Sequence, residues 1–312
     1  MSNDRSALPQ LRGGVFLADG GLETTLVFLE GIDLPSFAAF PLVLSETGRD
    51  ALTRYFAPYL AEAKRRGVGF VLDTATWRAN PDWGEKLGFG LEDLLDANRR
   101  AVSFAADLRD AVADRSHPIV LNGVVGPRGD GYVVGAAMTA DEAARYHRPQ
   151  IEALRDAGAD MISAITMTYA EEAVGIARAA RDCGIPVAIS FTVETDGRLP
   201  SGQPLRSAIE DTDAATGSFA AYYMINCAHP EHFKDALTGE GAWLDRIGGV
   251  RANASRKSHA ELDAATELDI GDPEELGRHY RDLRGQLRRL CVLGGCCGTD
   301  HRHVKAICDA CL

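Results

Sequence analysis

Leu290-Cys291-Val292-Leu293-Gly294-Gly295-Cys296-Cys297-Gly298-Thr299 is a short apolar run that breaks into a glycine-rich turn bearing two adjacent cysteines. Runs of four to six apolar residues bounded by Gly, Pro or Asp read as buried parallel strands. Working back from this one, seven more follow the same plan. Val15–Ala18 ends in Asp19-Gly20-Gly21, Val68–Leu72 in Asp73-Thr74-Ala75-Thr76-Trp77, and Ile119–Val125 in Gly126-Pro127. Met161–Ile165 ends in Thr166-Met167-Thr168, Val187–Phe191 in Thr192-Val193-Glu194, and Tyr222–Ile225 in Asn226-Cys227. The seventh, Ile247–Val250, runs into Arg251-Ala252-Asn253 and is diluted by Gly248-Gly249. Between the runs lie stretches of helix formers over Leu52–Arg66, Leu91–Asp114, Ala140–Ala157, Ala170–Cys183, Leu205–Gly217, Glu231–Leu237 and Pro273–Arg289. Gly158 and Gly184 read as helix stops, and Thr139 with Glu142 as a capping box. Eight strand–helix units predict a single-domain (β/α)8 TIM barrel, with a doubly wound open sheet as the other arrangement. The barrel is preferred because its strand ends share one rim, where such folds build their sites.

The chain has 312 residues and a formal net charge of −12, with 46% apolar and 25% charged residues. That is an ordinary globular composition, long enough to bury a large core without disulfides. The acid excess argues against nucleic-acid and anionic-membrane partners. The longest apolar stretch, Phe37 to Leu44, is far short of the roughly 20 residues of a membrane span. The opening MSNDRSALPQLRGG has no apolar h-region, so a cytoplasmic location is expected, with the seven cysteines as thiols. One domain is expected over 1–312, with about 1–12 as an N-terminal tail, in a monomer or homodimer.

Several catalytic signatures are absent, among them Walker A, HExxH and GxSxG, and the Gly129/Gly131/Gly135 spacing does not fit a dinucleotide fingerprint. Cys296-Cys297 and Cys227 stand out. On a barrel the sixth and eighth strands are near enough for their rim residues to share a ligand. Three thiolates match a catalytic zinc with its fourth position open; the other reading is three buried structural cysteines. Cys308 and Cys311 form a CxxC that reads as two thiols one helical turn apart, with a redox pair or extra metal ligands as the alternative. His229, His301 and His303 flank the cysteine motifs and read as exposed or as partners of ligands.

Asp19-Gly20-Gly21, Asn226-Cys227 and Gly294-Gly295-Cys296-Cys297-Gly298-Thr299 together resemble the homocysteine S-methyltransferase family, from about Phe16 to Val304. The resemblance implies a (β/α)8 barrel, Zn2+ held by Cys227, Cys296 and Cys297, and methyl transfer to a thiol, homocysteine or a relative, giving methionine or a thioether. It implies substrate contacts from Asp19, Gly20, Gly21, Thr76, Trp77, Thr166 and Asn226, with Trp77 facing an onium group. The donor implied is a small sulfonium or ammonium compound of the S-methylmethionine or betaine type, because the chain leaves no room for folate, cobalamin or reactivation domains. No general base is required.

Two positions depart from the family pattern. Ile165 stands where a glutamate that binds the substrate amine is expected, and Arg78 where an uncharged residue is expected near the donor. They leave open a different acceptor, or a zinc- or thiol-binding relative without turnover. A different barrel enzyme with incidental cysteines is the remaining alternative.

Overall fold

The computed structural model describes residues 8–112 and 117–312. Eight parallel strands close into one barrel in chain order. They are β1 (Phe16–Leu17), β2 (Gly69–Asp73), β3 (Ile119–Val125), β4 (Met161–Met167), β5 (Val187–Phe191), β6 (Tyr222–Asn226), β7 (Ile247–Ala252) and β8 (Val292–Gly295). The eight-unit reading holds, and the open-sheet alternative falls because β1 pairs with both β2 and β8. The apolar runs become strands because both their faces are covered, one by the barrel interior and one by helices.

β7 forms fully despite its two glycines. A side chain at Gly249 would meet the Met224 side chain at 2.7 Å, so the glycine makes room where the β6–β7 register shifts. β8 lies two residues later than expected and carries Gly294 and Gly295 within the strand.

Helices Glu46–Arg66, Leu91–Val112, Ala140–Asp156, Ala170–Cys183, Leu205–Thr216, Pro273–Gln286 and His301–Cys311 wrap the sheet. Residues 113 and 114 of the expected Leu91–Asp114 helix lie outside the described residues. Thr139 and Glu142 form the capping box, and Gly184 ends its helix in the left-handed region. The single helix expected over Glu231–Leu237 is instead a short Pro230–Phe233 helix followed by a 3-10 turn at Asp235–Leu237. Of the tail expected over 1–12, residues 1–7 lie outside the described residues. Residues 8–12 pack under the barrel: Leu8 is buried, and Gln10 Nε2 lies 3.2 Å from Met161 Sδ and 3.5 Å from Tyr222 Oη. Among the described residues no helix is long and apolar enough to cross a membrane.

The last helix is held at its start by Asp300, which accepts from Arg302 N at 2.8 Å and faces His303 Nδ1 at 3.2 Å. Burial alone raises the Asp300 pKa, but hydrogen bonds from His303 and Arg302 outweigh it and hold the carboxyl well below the usual range. Its folded pKa is therefore depressed, so its stabilisation is present above the unfolded value and fades as pH falls toward the folded one. Asp300→Ala is expected to cost about 1–2 kcal/mol at pH 7. Urea midpoints of both proteins should converge as pH drops below about 4. A deficit unchanged by acid would show that packing, not the cap, was lost.

Candidate metal centre and substrate cavity

Cys227 follows β6, and Cys296 and Cys297 follow β8. Cys227 sits in the left-handed region at φ 55°, costly for a non-glycine residue, and this turns its side chain back over the rim. The β8 turn is tight because Gly295 lies against Thr299, whose Cβ would be 2.7 Å from an added methyl. Cys227 Sγ lies 2.6 Å from Cys296 Sγ and 3.6 Å from Cys297 Sγ. All three sulfurs fall within 4.8 Å of one another, and among the described residues no other set of three or more His, Cys, Asp or Glu side chains is so arranged. Hydrogen bonds from Cys227 and Cys297 hold the Cys296 thiol well below the usual range, and the bond to Cys296 pushes Cys227 well above it.

Asn226 organises the neighbouring strands. Its Oδ1 accepts from Thr166 N at 2.9 Å and Ser190 Oγ at 2.6 Å, and its Nδ2 donates to Thr166 Oγ1 at 3.0 Å. These bonds hold Thr166 at φ 64°, where β4 breaks register. Nδ2 also points toward Cys296 Sγ, 3.9 Å away.

Arg251, on β7, forms buried ion pairs with Asp19 after β1 and Asp73 at the end of β2. Tyr55 Oη donates to Asp19 Oδ2 at 2.8 Å, and Asn122 Nδ2 donates to Asp73 Oδ1 at 2.7 Å. Arg251 Nε also reaches Gly295 O at 3.2 Å, tying this charge cluster to the cysteine turn. Burial, partly offset by Arg251, pushes the Asp19 carboxyl up to about 6.

Tyr132 is a site residue the sequence did not signal. Its hydroxyl lies 3.6 Å from Cys227 Sγ and 3.5 Å from Cys297 Sγ. Its ring stacks on His259, with centroids 4.0 Å apart and planes at 17°. His259 Nε2 lies 2.7 Å from Cys227 O, and Nδ1 lies 3.1 Å from Glu194 Oε1. The Gly129–Tyr132 loop was readable only as a glycine spacing, and His259 opens a short helix seven residues beyond the end of β7.

The sulfurs open on a cavity of about 380 Å³ that also reaches Asp19, Gly20, Gly21, Trp77, Thr166 and Asn226. Thr76 is not on its wall: fully buried, it donates to Val124 O at 2.7 Å. Ile165 lines the cavity, so an apolar side chain does face it there. Arg78 lines it too, but its guanidinium lies over the Trp83 and Trp77 rings, 3.8 and 4.6 Å from their centroids. It also donates to Ser36 O and stands 3.8 Å from Asp130. One cation therefore already sits at the Trp77 ring.

The flanking histidines do other work. His229 Nδ1 accepts from Glu231 N at 3.2 Å, His303 belongs to the cap of the last helix, and His301 is exposed. Cys308 and Cys311 are free thiols on that last helix, and burial pushes Cys308 up to about 12.

The family model described as homocysteine S-methyltransferase matches residues 16–311. Homocysteine S-methyltransferase 4 of Zea mays is 25% identical over 320 residues, covering 96% of this chain and 90% of that protein. Homocysteine S-methyltransferase YbgG of Bacillus subtilis is 27% identical over 252 residues, covering 70% and 74%. Among solved structures, the metallated form of the homocysteine methyltransferase MmuM from Escherichia coli superposes with a TM-score of 0.74 at 20% identity, covering 98% of this chain and 99% of that one. At that identity the likeness is one of fold.

Proposed function

The chain belongs to the homocysteine S-methyltransferase family, and on that premise we propose that it is a zinc-dependent enzyme methylating homocysteine from a small onium donor. The observation that carries this reading is the convergence of Cys227, Cys296 and Cys297 at the cavity floor, from strand ends that are distant in sequence. Their donor set suits zinc: three soft, thiolate-forming side chains, with no fourth cysteine or histidine among the described residues of the cluster. When bound, the ion would hold an incoming thiol as its thiolate at neutral pH, where a free thiol is mostly protonated.

The chain's own residues supply the rest. Asn226 steadies the β6 turn and aims an N–H at Cys296. Asp19, Gly20, Gly21, Thr166 and Trp77 line the cavity with the sulfurs and would contact the two substrates there. Seven carboxylates line the cavity (Asp19, Glu23, Asp73, Asp130, Asp263, Glu267 and Asp269), against the guanidiniums of Arg78 and Arg251. That excess draws in a cation, and a sulfonium or ammonium donor is one. In the transfer the acceptor sulfur's electron pair forms the new S–CH3 bond. The bond from methyl to the onium atom breaks, and its pair leaves on the now neutral donor. Charge is neutralised rather than created, so no general base or oxyanion hole is needed; the residues orient the partners in line.

The test is to incubate zinc-loaded protein with L-homocysteine and S-methylmethionine, then betaine, and to follow methionine by mass spectrometry. Methionine formation that needs both zinc and protein is expected. Absence of product with every onium donor and every thiol acceptor tried overturns the reading. Ile165 favours one variant of it, in which a thiol other than homocysteine is preferred; the acceptor series decides that point.

A further inference from the structure

Three carboxylates lie near the sulfurs, and they differ in what they already hold. Asp19 and Asp73 share Arg251 and are further tied by Tyr55 and Asn122. Glu23 is the third. It lines the cavity, and its carboxylate has no side-chain partner among the described residues, only its own backbone N–H.

Its position is firmly set. Gly21 N donates to Thr299 O at 3.0 Å, and Gly298 N donates to Thr24 Oγ1 at 3.2 Å, so the turn carrying Glu23 is stitched to the cysteine turn from both sides. The two turns touch: a methyl on Gly21 would lie 2.6 Å from Cys296 O. Arg78 is the nearby cation, but it is spent on Ser36 O, Asp130 and two indole faces and forms no ion pair with Glu23. Burial, with the negative charges of Cys296 and Asp19, pushes the Glu23 carboxyl up to about 7. A half-buried carboxylate with no ion-pair partner gains from a cation that joins it. The protein offers only the charge of Arg78, which opposes the shift without forming an ion pair with Glu23.

We propose that Glu23 anchors the ammonium group of the acceptor, so that the site selects thiols that are α-amino acids. This rests on the thiol-methylation reading above. In homocysteine the amino nitrogen is four bonds from the sulfur, a reach of about 5 Å, and Glu23 lines the same cavity as the sulfurs, near enough to Cys296 for their charges to interact. Ile165, on the β4 side of the same cavity, presents only carbon to that group.

The experiment compares two acceptors, L-homocysteine and 4-mercaptobutyrate, which differ by the ammonium group. Their Kd values for the zinc-loaded protein are measured by calorimetry for wild type, Glu23→Gln and Glu23→Asp, with circular dichroism to establish that each variant folds. Glu23→Gln is expected to weaken homocysteine at least tenfold relative to 4-mercaptobutyrate, with Glu23→Asp falling between it and wild type. An equal change for both acceptors, or none for homocysteine, overturns the assignment. So does a KM rise confined to the donor, which would give Glu23 to the onium group instead. Because the primary readout is binding, a wild-type protein that binds homocysteine but makes no methionine would refute the enzymatic reading and still test Glu23.

Discussion

Cys297→Ala is expected to abolish zinc retention and, with it, methyl transfer. Losing a group that merely hydrogen-bonds a metal ligand costs about 10–100-fold in affinity, and losing one of three ligands costs more. The fold should survive. Cys297 is partly exposed at the rim, and the barrel core is built from residues on β1 to β8 and the helices behind them. Without metal, the two proteins should therefore unfold at nearly the same urea concentration. With zinc at about 100 times the wild-type Kd, wild type should gain about 2.7 kcal/mol and the variant nothing. Metal analysis after dialysis against a weak chelator gives the second reading, about one zinc per wild-type chain and none per variant. A variant that keeps stoichiometric zinc would remove the three-sulfur site.

Arg251→Met is expected to be strongly destabilising. Removing one partner of a buried ionic cluster costs about 3–5 kcal/mol, because the remaining charges stay buried without compensation. Here two carboxylates, Asp19 and Asp73, would be stranded, and the link from Arg251 Nε to Gly295 O would be lost. The deficit has a predictable pH dependence. Burial, opposed by Arg251, already raises Asp19 to about 6 from 3.8. An acid whose folded pKa is raised binds more protons when folded, so its contribution to stability falls as pH climbs through that interval. Without the guanidinium the folded pKa rises further, and the loss extends over a wider window. Urea denaturation should therefore find a larger difference between the proteins at pH 8 than at pH 5. Adding Asp19→Asn and Asp73→Asn should recover part of the loss at pH 8. A pH-independent deficit would mean that Arg251 matters for packing rather than for charge.

Both predictions concern residues whose legibility in the sequence differed sharply. The cysteines were visible because Cys296-Cys297 sits in a glycine-rich turn and Cys227 comes one residue after an apolar run, a pattern carried by neighbouring residues alone. Arg251 was visible only as a residue at the end of the seventh run. Its role as the hub of two acids depends on Asp19, 232 positions away, and Asp73, 178 positions away. Closure of the barrel brings them together, and closure leaves no trace in local periodicity. Thr76 shows the same limit from the other side. Its place after β2 was right for a rim residue, but in the turn its hydroxyl bonds Val124 O and its neighbour Trp77 lines the cavity instead.

By itself, then, the order of residues determined the eight-unit rhythm, the capping box at Thr139 and the turn that presents the sulfur pair. Each of these depends on neighbours within a few positions, through side-chain periodicity, cap chemistry and glycine's freedom to turn. Only the tertiary structure decided that Asp19 and Asp73 are spent on Arg251 while Glu23, on the same cavity, has no ion-pair partner. It also decided that Tyr132, stacked on His259, stands over them. Those are contacts between segments far apart in the chain, set by how a closed sheet arranges its strand ends around one cavity.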